Sequence, residues 1–155
     1  MIAVQSRQRK VRGLDLQALR RRAKAIDVAA GTTDAEVCLT LVSDPAIHAL
    51  NRQYRGKDRA TDVLSFSQRE GEFGELAGDV LGDVIVSVET AERQRDARPL
   101  LDEVTHLLIH GVLHLLGHDH EEDAEAEAME AEERRIWAAV RAAVRATEPQ
   151  AEAEA

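Results

Sequence analysis

Three histidines stand close together in the stretch His110-Gly111-Val112-Leu113-His114-Leu115-Leu116-Gly117-His118-Asp119-His120, with the spacing H-x3-H-x2-G-x2-H. On a helix, His110 and His114 share one face about a turn apart. Gly117 offers a residue that takes positive φ and ends such a helix. The chain then turns back and carries His120 toward the pair. Three converging imidazoles with an open fourth position form the arrangement of a catalytic zinc site. Leu107, Leu108, Val112, Leu113, Leu115 and Leu116 make the surroundings apolar and dry. A lone histidine on such a face is usually a satisfied core residue. Three buried without partners would cost on the order of 1–3 kcal/mol each, and metal ligation supplies the partners.

Zinc suits three neutral imidazoles with an open position, although nickel, copper or iron also bind such sets. One ion per chain is expected, held by His110, His114 and His120. His106, one turn before His110, and His118, inside the turn, are the alternative ligands. Asp119 is a candidate to accept an N–H from a ligand imidazole, or else to cap the following helix. The spacing matches the metzincin protease pattern H-E-x-x-H-x-x-G-x-x-H, with one difference. Gly111 stands where those proteases carry the glutamate that serves as general base. A metal here still lowers the pKa of bound water, but peptide hydrolysis lacks its proton acceptor.

The elements that must position these residues are legible from periodicity. Leu14, Leu19, Ala23, Ile26 and Ala30 predict a helix over 14–30 that ends near Gly31. Residues 36–43, 63–67 and 80–86 read as strands, and Met1 to Gln5 as a fourth. Asp44 is expected to cap a short helix to about Tyr54, with Pro45 at its first position. Arg55 to Thr61 is a polar loop, and Glu70 to Gly78 a loop rich in glycine and glutamate. Ser87 caps a helix that ends before Pro99. The histidine helix runs over about 100–116, and a long amphipathic helix over 121–146, anchored by Met129, Ile136, Trp137, Val140 and Val144. One domain over 1–146 and a disordered tail over 147–155 are expected.

The chain has 155 residues and a net charge of -9, with a pI near 5.1. The mean field therefore repels polyanions, and a nucleic-acid partner needs a local basic patch. Arg7, Arg9, Lys10, Arg12, Arg20, Arg21, Arg22 and Lys24 crowd the start, readable as a solvated face or a polyanion contact. Glu121, Glu122, Asp123, Glu125, Glu127, Glu130, Glu132 and Glu133 crowd a later segment, readable as a solvated helix face. The single cysteine, Cys38, excludes an internal disulfide and is expected to be a small buried hydrophobe. No signal-peptide h-region and no membrane-length apolar run is present, which predicts a cytoplasmic protein.

The histidine segment resembles the pattern H-G-x-L-H-L-x-G-[YH]-D-H of the YbeY family of bacterial endoribonucleases and rRNA maturation factors. It matches at every defined position. Leu50-Asn51-Arg52-Gln53-Tyr54-Arg55-Gly56-Lys57-Asp58-Arg59-Ala60-Thr61-Asp62-Val63-Leu64-Ser65-Phe66 resembles the family's L-N-x-x-Y-R-x-x-D-x-P-T-D-V-L-S-F, and Leu81-Gly82-Asp83-Val84-Ile85-Val86-Ser87 its L-G-D-I-x-I-S. The blocks span residues 50–120 in order, about half the chain. Ala60 departs from the usual proline, which loosens the loop but removes no reactive group. The resemblance implies an α+β fold, a small mixed β-sheet flanked by helices in an αβα arrangement. It implies zinc on His110, His114 and His120, and an arginine, here Arg55, in an RNA-binding cleft. It implies single-stranded RNA as substrate, a role in maturing the 3′ end of 16S rRNA and in ribosome quality control, and the small ribosomal subunit and its assembly factors as partners.

The catalytic candidates are therefore Arg55, as a bidentate phosphate contact, and His110, also a ligand. Lys57 and Arg59 add local positive charge for RNA. No separate general base is identifiable. A water activated by the metal is the candidate nucleophile, with the RNA 2′-hydroxyl as the alternative. A metalloprotease and a non-catalytic assembly factor with structural zinc are the competing readings. The first is opposed by Gly111, and the second requires a fourth protein ligand such as His106 or His118.

Overall fold

The computed structural model describes residues 1–8, 11–68 and 79–148. Among these residues four strands form one mixed sheet: β1 (Ile2–Ser6), β2 (Glu36–Val42), β3 (Val63–Ser67) and β4 (Val80–Ser87). Their order across the sheet is β1-β2-β4-β3. β1, β2 and β4 run parallel, with Val4 opposite Leu39 and Leu39 opposite Val84. β3 pairs antiparallel with β4, Leu64 opposite Ile85. Five helices complete the described residues: α1 (Leu16–Ala30), α2 (Asp44–Arg55), α3 (Val88–Gln94), α4 (Leu100–Leu115) and α5 (Asp123–Val144). This is the α+β arrangement expected from the sequence.

Strand alternation decides which side chains meet which helices. Val37, Leu39, Leu41, Val84 and Val86 bury one sheet face beneath α1 and α4, and α5 packs against those two helices. They share one core with Leu19 and Ile26 of α1, Leu108 and Val112 of α4, and Met129, Ile136 and Val140 of α5. The opposite face is covered more thinly by α2, where Val42, Ile47 and Leu64 form a smaller cluster with Leu50, Phe66 and Ile85. Among the described residues no helix is long and apolar enough to cross a membrane.

Helix ends follow local rules, with one correction. The Asp15 side chain accepts from Gln17 N and Ala18 N to start α1, and Gly31 ends it at φ 76°. Ser43, not Asp44, caps α2, accepting from Ala46 N at 3.3 Å. Asp44 is the first helical residue and Pro45 the second. The Asp44 carboxylate instead accepts from Ser87 Oγ at 2.5 Å, Thr90 Oγ1 at 2.6 Å and Arg93 Nη2 at 2.8 Å. Burial works to raise its pKa, but these donors and the Arg93 charge outweigh it and hold it below the ordinary carboxylate value. Ser87 caps α3 as expected.

Two further expectations are revised. Cys38 is only half-buried, with its sulfur 3.5 Å from Gln5 Nε2, because its register places it on the thinly covered face. Arg22 belongs to neither a solvated face nor a polyanion contact. It is buried and bonds Asp102 at 2.7 Å, Thr105 at 3.2 Å and Glu148 at 2.9 Å. Thr147 N and Glu148 N both bond Val144 O, at 3.0 and 2.7 Å. The remaining tail, 149–155, and the Glu70 to Gly78 loop lie outside the described residues.

Candidate metal centre

α4 carries His110 and His114 on one face because its other faces are apolar and committed to the core. Leu107, Leu108, Val112 and Leu115 are buried there. The helix ends in a Schellman motif: Gly117 N bonds His114 O at 3.0 Å and His118 N bonds Leu113 O at 3.0 Å. The motif needs a left-handed residue, and Gly117 takes φ 97°. The chain then reverses, and Asp119 Oδ1 accepts from His120 N at 2.7 Å.

The result is a three-histidine group. One ligand-capable atom from each of His110, His114 and His120 lies within 4.8 Å of the others. His110 Nε2 and His114 Nε2 are 3.0 Å apart. Two imidazoles on a tetrahedral ion at about 2.0–2.1 Å would sit about 3.4 Å apart, so the pair is near ligation geometry already. The donor set fits a zinc-type ion with a position left open. His106 and His118 are not part of the group. The His106 ring lies 6.5 Å from that of His110, on the next turn.

Burial favours the neutral ring at His114 and at His106. Burial, reinforced by repulsion from His110 and His120, lowers the His114 pKa below its ordinary 6.5, although a hydrogen bond with the His118 backbone and the Asp119 charge work the other way. Burial likewise lowers the His106 pKa, with Arg98 and His110 adding to it and Glu133 and Asp62 opposing. Neutral imidazole is the form that binds metal.

Two members of the group open onto a cleft of about 580 Å³ between α4 and the α2–β3 loop. Arg55, Lys57 and Arg59 line it along with His110 and His114, and Asp119 forms part of its wall. Arg55 Nη2 donates to Ser65 O at 2.5 Å, and its guanidinium carbon lies 5.0 Å from the centre of the Phe66 ring. This contact orients the side chain and leaves other N–H donors of the guanidinium for a ligand. The loop is tied down without the proline that Ala60 replaces. Buried Asn51 donates Nδ2–H to Arg59 O at 2.9 Å, and Lys57 N bonds Asn51 O at 3.3 Å. A larger hollow of about 760 Å³ opens between Arg12 and α3, away from the metal-capable group.

Gly111 has a packing reason as well as a chemical one. A Cβ there would lie 2.5 Å from Val84 Cγ1 and 3.2 Å from Ser65 Oγ. Ser65 Oγ also donates to Gly111 O at 3.2 Å. α4 rests directly on β3 and β4, and a metzincin's glutamate at this position would force Val84 to shift.

Two of the three blocks that resembled the YbeY family therefore line one cleft, through residues such as Asn51, Arg55 and Ser65 and through His110, His114 and Asp119. A family model described as "Endoribonuclease YbeY" matches residues 2–141. The chain belongs to the endoribonuclease YbeY family. Relatives described as "Endoribonuclease YbeY" include one from Geobacter sulfurreducens, 43% identical over 141 residues, covering 88% of this chain and 93% of the relative. One from Anaeromyxobacter dehalogenans is 48% identical over 134 residues, covering 82% and 67%. The solution structure of TM1509 from Thermotoga maritima superposes with a TM-score of 0.65 at 27% identity, covering 95% of this chain and 93% of that one.

Sequence reasoning missed one member of this YbeY-family site. Glu133 of α5 was counted with the solvated acidic run, yet its Oε1 lies 3.1 Å from His110 Nδ1 and its side chain is only 19% exposed. Asp119, expected beside a ligand ring, has its Oδ1 4.0 Å from His120 Nδ1 and also accepts from His120 N. A helix packed across α4 from 23 residues away leaves no local spacing signal for such a contact.

Proposed function

We propose that this chain is a zinc-dependent endoribonuclease that cleaves single-stranded RNA in the cytoplasm. Its proposed substrate is the 3′-end precursor of 16S rRNA, and its setting is ribosome maturation and quality control beside the small subunit and its assembly factors. One domain over residues 1–146 carries the activity. The observation behind this reading is the three-imidazole group, two of whose rings line a cleft with Arg55, Lys57 and Arg59. Membership of the endoribonuclease YbeY family supports the substrate class.

His110, His114 and His120 would hold the ion, which when bound supplies Lewis acidity toward a phosphoryl oxygen and toward water. Arg55 binds the scissile phosphate with the guanidinium donors that Ser65 leaves unused, and offsets the charge that develops there. Lys57 and Arg59 hold the flanking phosphates against the acidic mean charge of the molecule. Asp119 holds the turn that delivers His120. A protease reading is disfavoured by the space at Gly111. A structural-zinc reading is disfavoured by the exclusion of His106 and His118 from the ligand group.

The test combines metal analysis with RNA cleavage. His114→Ala should abolish stoichiometric zinc, and full zinc occupancy by elemental analysis would refute the ligand set. Arg55→Glu should keep zinc and lose cleavage of a 16S 3′-end precursor, with the native protein silenced by chelator. Cleavage by Arg55→Glu at the native rate would remove Arg55 from the reaction. The ends formed distinguish the nucleophile, since a 2′,3′-cyclic phosphate requires attack by the RNA 2′-hydroxyl rather than by water.

A further inference from the structure

We infer that Glu133 is a positioning residue for the metal centre: it fixes His110 in the one tautomer that can bind the ion. The inference rests on the metal-site reading above and extends it to α5, a helix outside the histidine motif.

His110 uses its two ring nitrogens in opposite directions. Nδ1 meets Glu133 Oε1 at 3.1 Å, and Nε2 faces His114 Nε2 at 3.0 Å. An ionised carboxylate is an acceptor only, and a neutral imidazole carries a single N–H. With Glu133 ionised, that proton sits on Nδ1 and the Nε2 lone pair points into the cluster. The opposite tautomer would place a proton where the ion belongs and two acceptors face to face at Glu133. A carboxylate behind a metal-binding histidine also raises the basicity of the ring and restrains its rotation.

Glu133 is placed for this by packing rather than by chance. Met129, Ile136 and Val140 seat α5 in the main core. Glu133 lies between these anchors in sequence, on the flank that reaches α4. Its neighbour Glu132 is already committed to Arg135 at 2.7 Å, so it does not compete for His110. Part of the acidic run is thereby the outer support of the site.

The experiment measures zinc affinity by competition with a chromogenic chelator, and locates the His110 ring proton by 15N NMR in the metal-free protein at neutral pH. Glu133→Ala should bind zinc about 10–100-fold more weakly and let the His110 proton populate both nitrogens. Glu133→Gln keeps an acceptor oxygen, should recover most of the affinity and should keep the proton on Nδ1. Native affinity in Glu133→Ala would overturn the inference, as would an Nε2 proton on His110 in the native protein. If Glu133→Ala lowers the Tm of the metal-free protein, the folded Glu133→Gln variant decides: a proton retained on Nδ1 supports the role and one moved to Nε2 refutes it. Failure is separable from failure of the metal reading, because His114→Ala must lose zinc for the latter whatever Glu133 does.

Discussion

At the scale of single residues, Gly111 and His106 make the sharpest statements. The space at Gly111 is set by Val84, 2.5 Å from a would-be Cβ. Overpacking of this kind costs about 1–3 kcal/mol. Gly111→Ala should lower stability by about that amount in urea unfolding, and its cost should be smaller in a Val84→Ala background, since contacting sites couple. Additive losses in the double variant would show that the contact does not limit the position. His106 predicts an acid sensitivity. Its folded pKa lies below the ordinary 6.5, chiefly through burial. The unfolded chain therefore binds more protons between the two values, and stability rises with pH through that window. Above about pH 6.5 the contribution is complete, and it is lost on acidification toward the folded value. Metal-free protein should weaken over that range, and His106→Leu should flatten the slope measured by denaturant titration.

At the scale of elements, much was readable because the signals were local. β3 begins and ends at Val63 and Ser67 as predicted, since a polar loop precedes it and alternation defines it. The end of α1 at Gly31 and the cap at Ser87 follow from residue type alone. What was not readable involves partners distant in sequence. Ser43 displaced Asp44 from the cap of α2 because Asp44 had three donors waiting on β4 and α3. Glu133 and Arg22 were hidden in charge runs for the same reason: composition cannot say which member of a run turns inward. The cluster His110, His114, His120 was legible because two ligands share a helix face and a glycine reverses the chain. That reversal carries its own prediction. A Cβ at Gly117 meets nothing within 4 Å, so Gly117→Ala should cost only its left-handed backbone, about 1 kcal/mol. Zinc affinity should fall along with Tm, because the turn aims His120. A lower Tm with native zinc affinity would separate the turn from the site.

At the scale of the whole molecule, Arg22 ties three regions together. Its side chain is 3% exposed and bonds Asp102 at the start of α4 and Glu148 beyond α5. Its guanidinium carbon lies 5.9 Å from the centre of the Trp137 ring. A buried cation is costly unless paired, and stripping one member of such a group leaves the others uncompensated. Arg22→Ala should destabilise by about 3–5 kcal/mol in urea, a large share of the stability of a domain this size. A loss under about 1 kcal/mol would mean that water replaces the arginine there.

The placing of α5 against both α1 and α4 has a consequence in time as well as space. Translation delivers the sheet and the histidine helix before α5, the last of the described elements to leave the ribosome. Until it docks, Leu19 and Ile26 on α1 lack Ile136 and Val140 to close over them, and His110 lacks Glu133. Nascent chains halted before α5 emerges should thus present an unfinished, sticky intermediate to chaperones. On this order of events the three histidines are in place before the helix that steadies His110, so a chain stopped short of α5 should hold zinc more weakly as well as fold poorly.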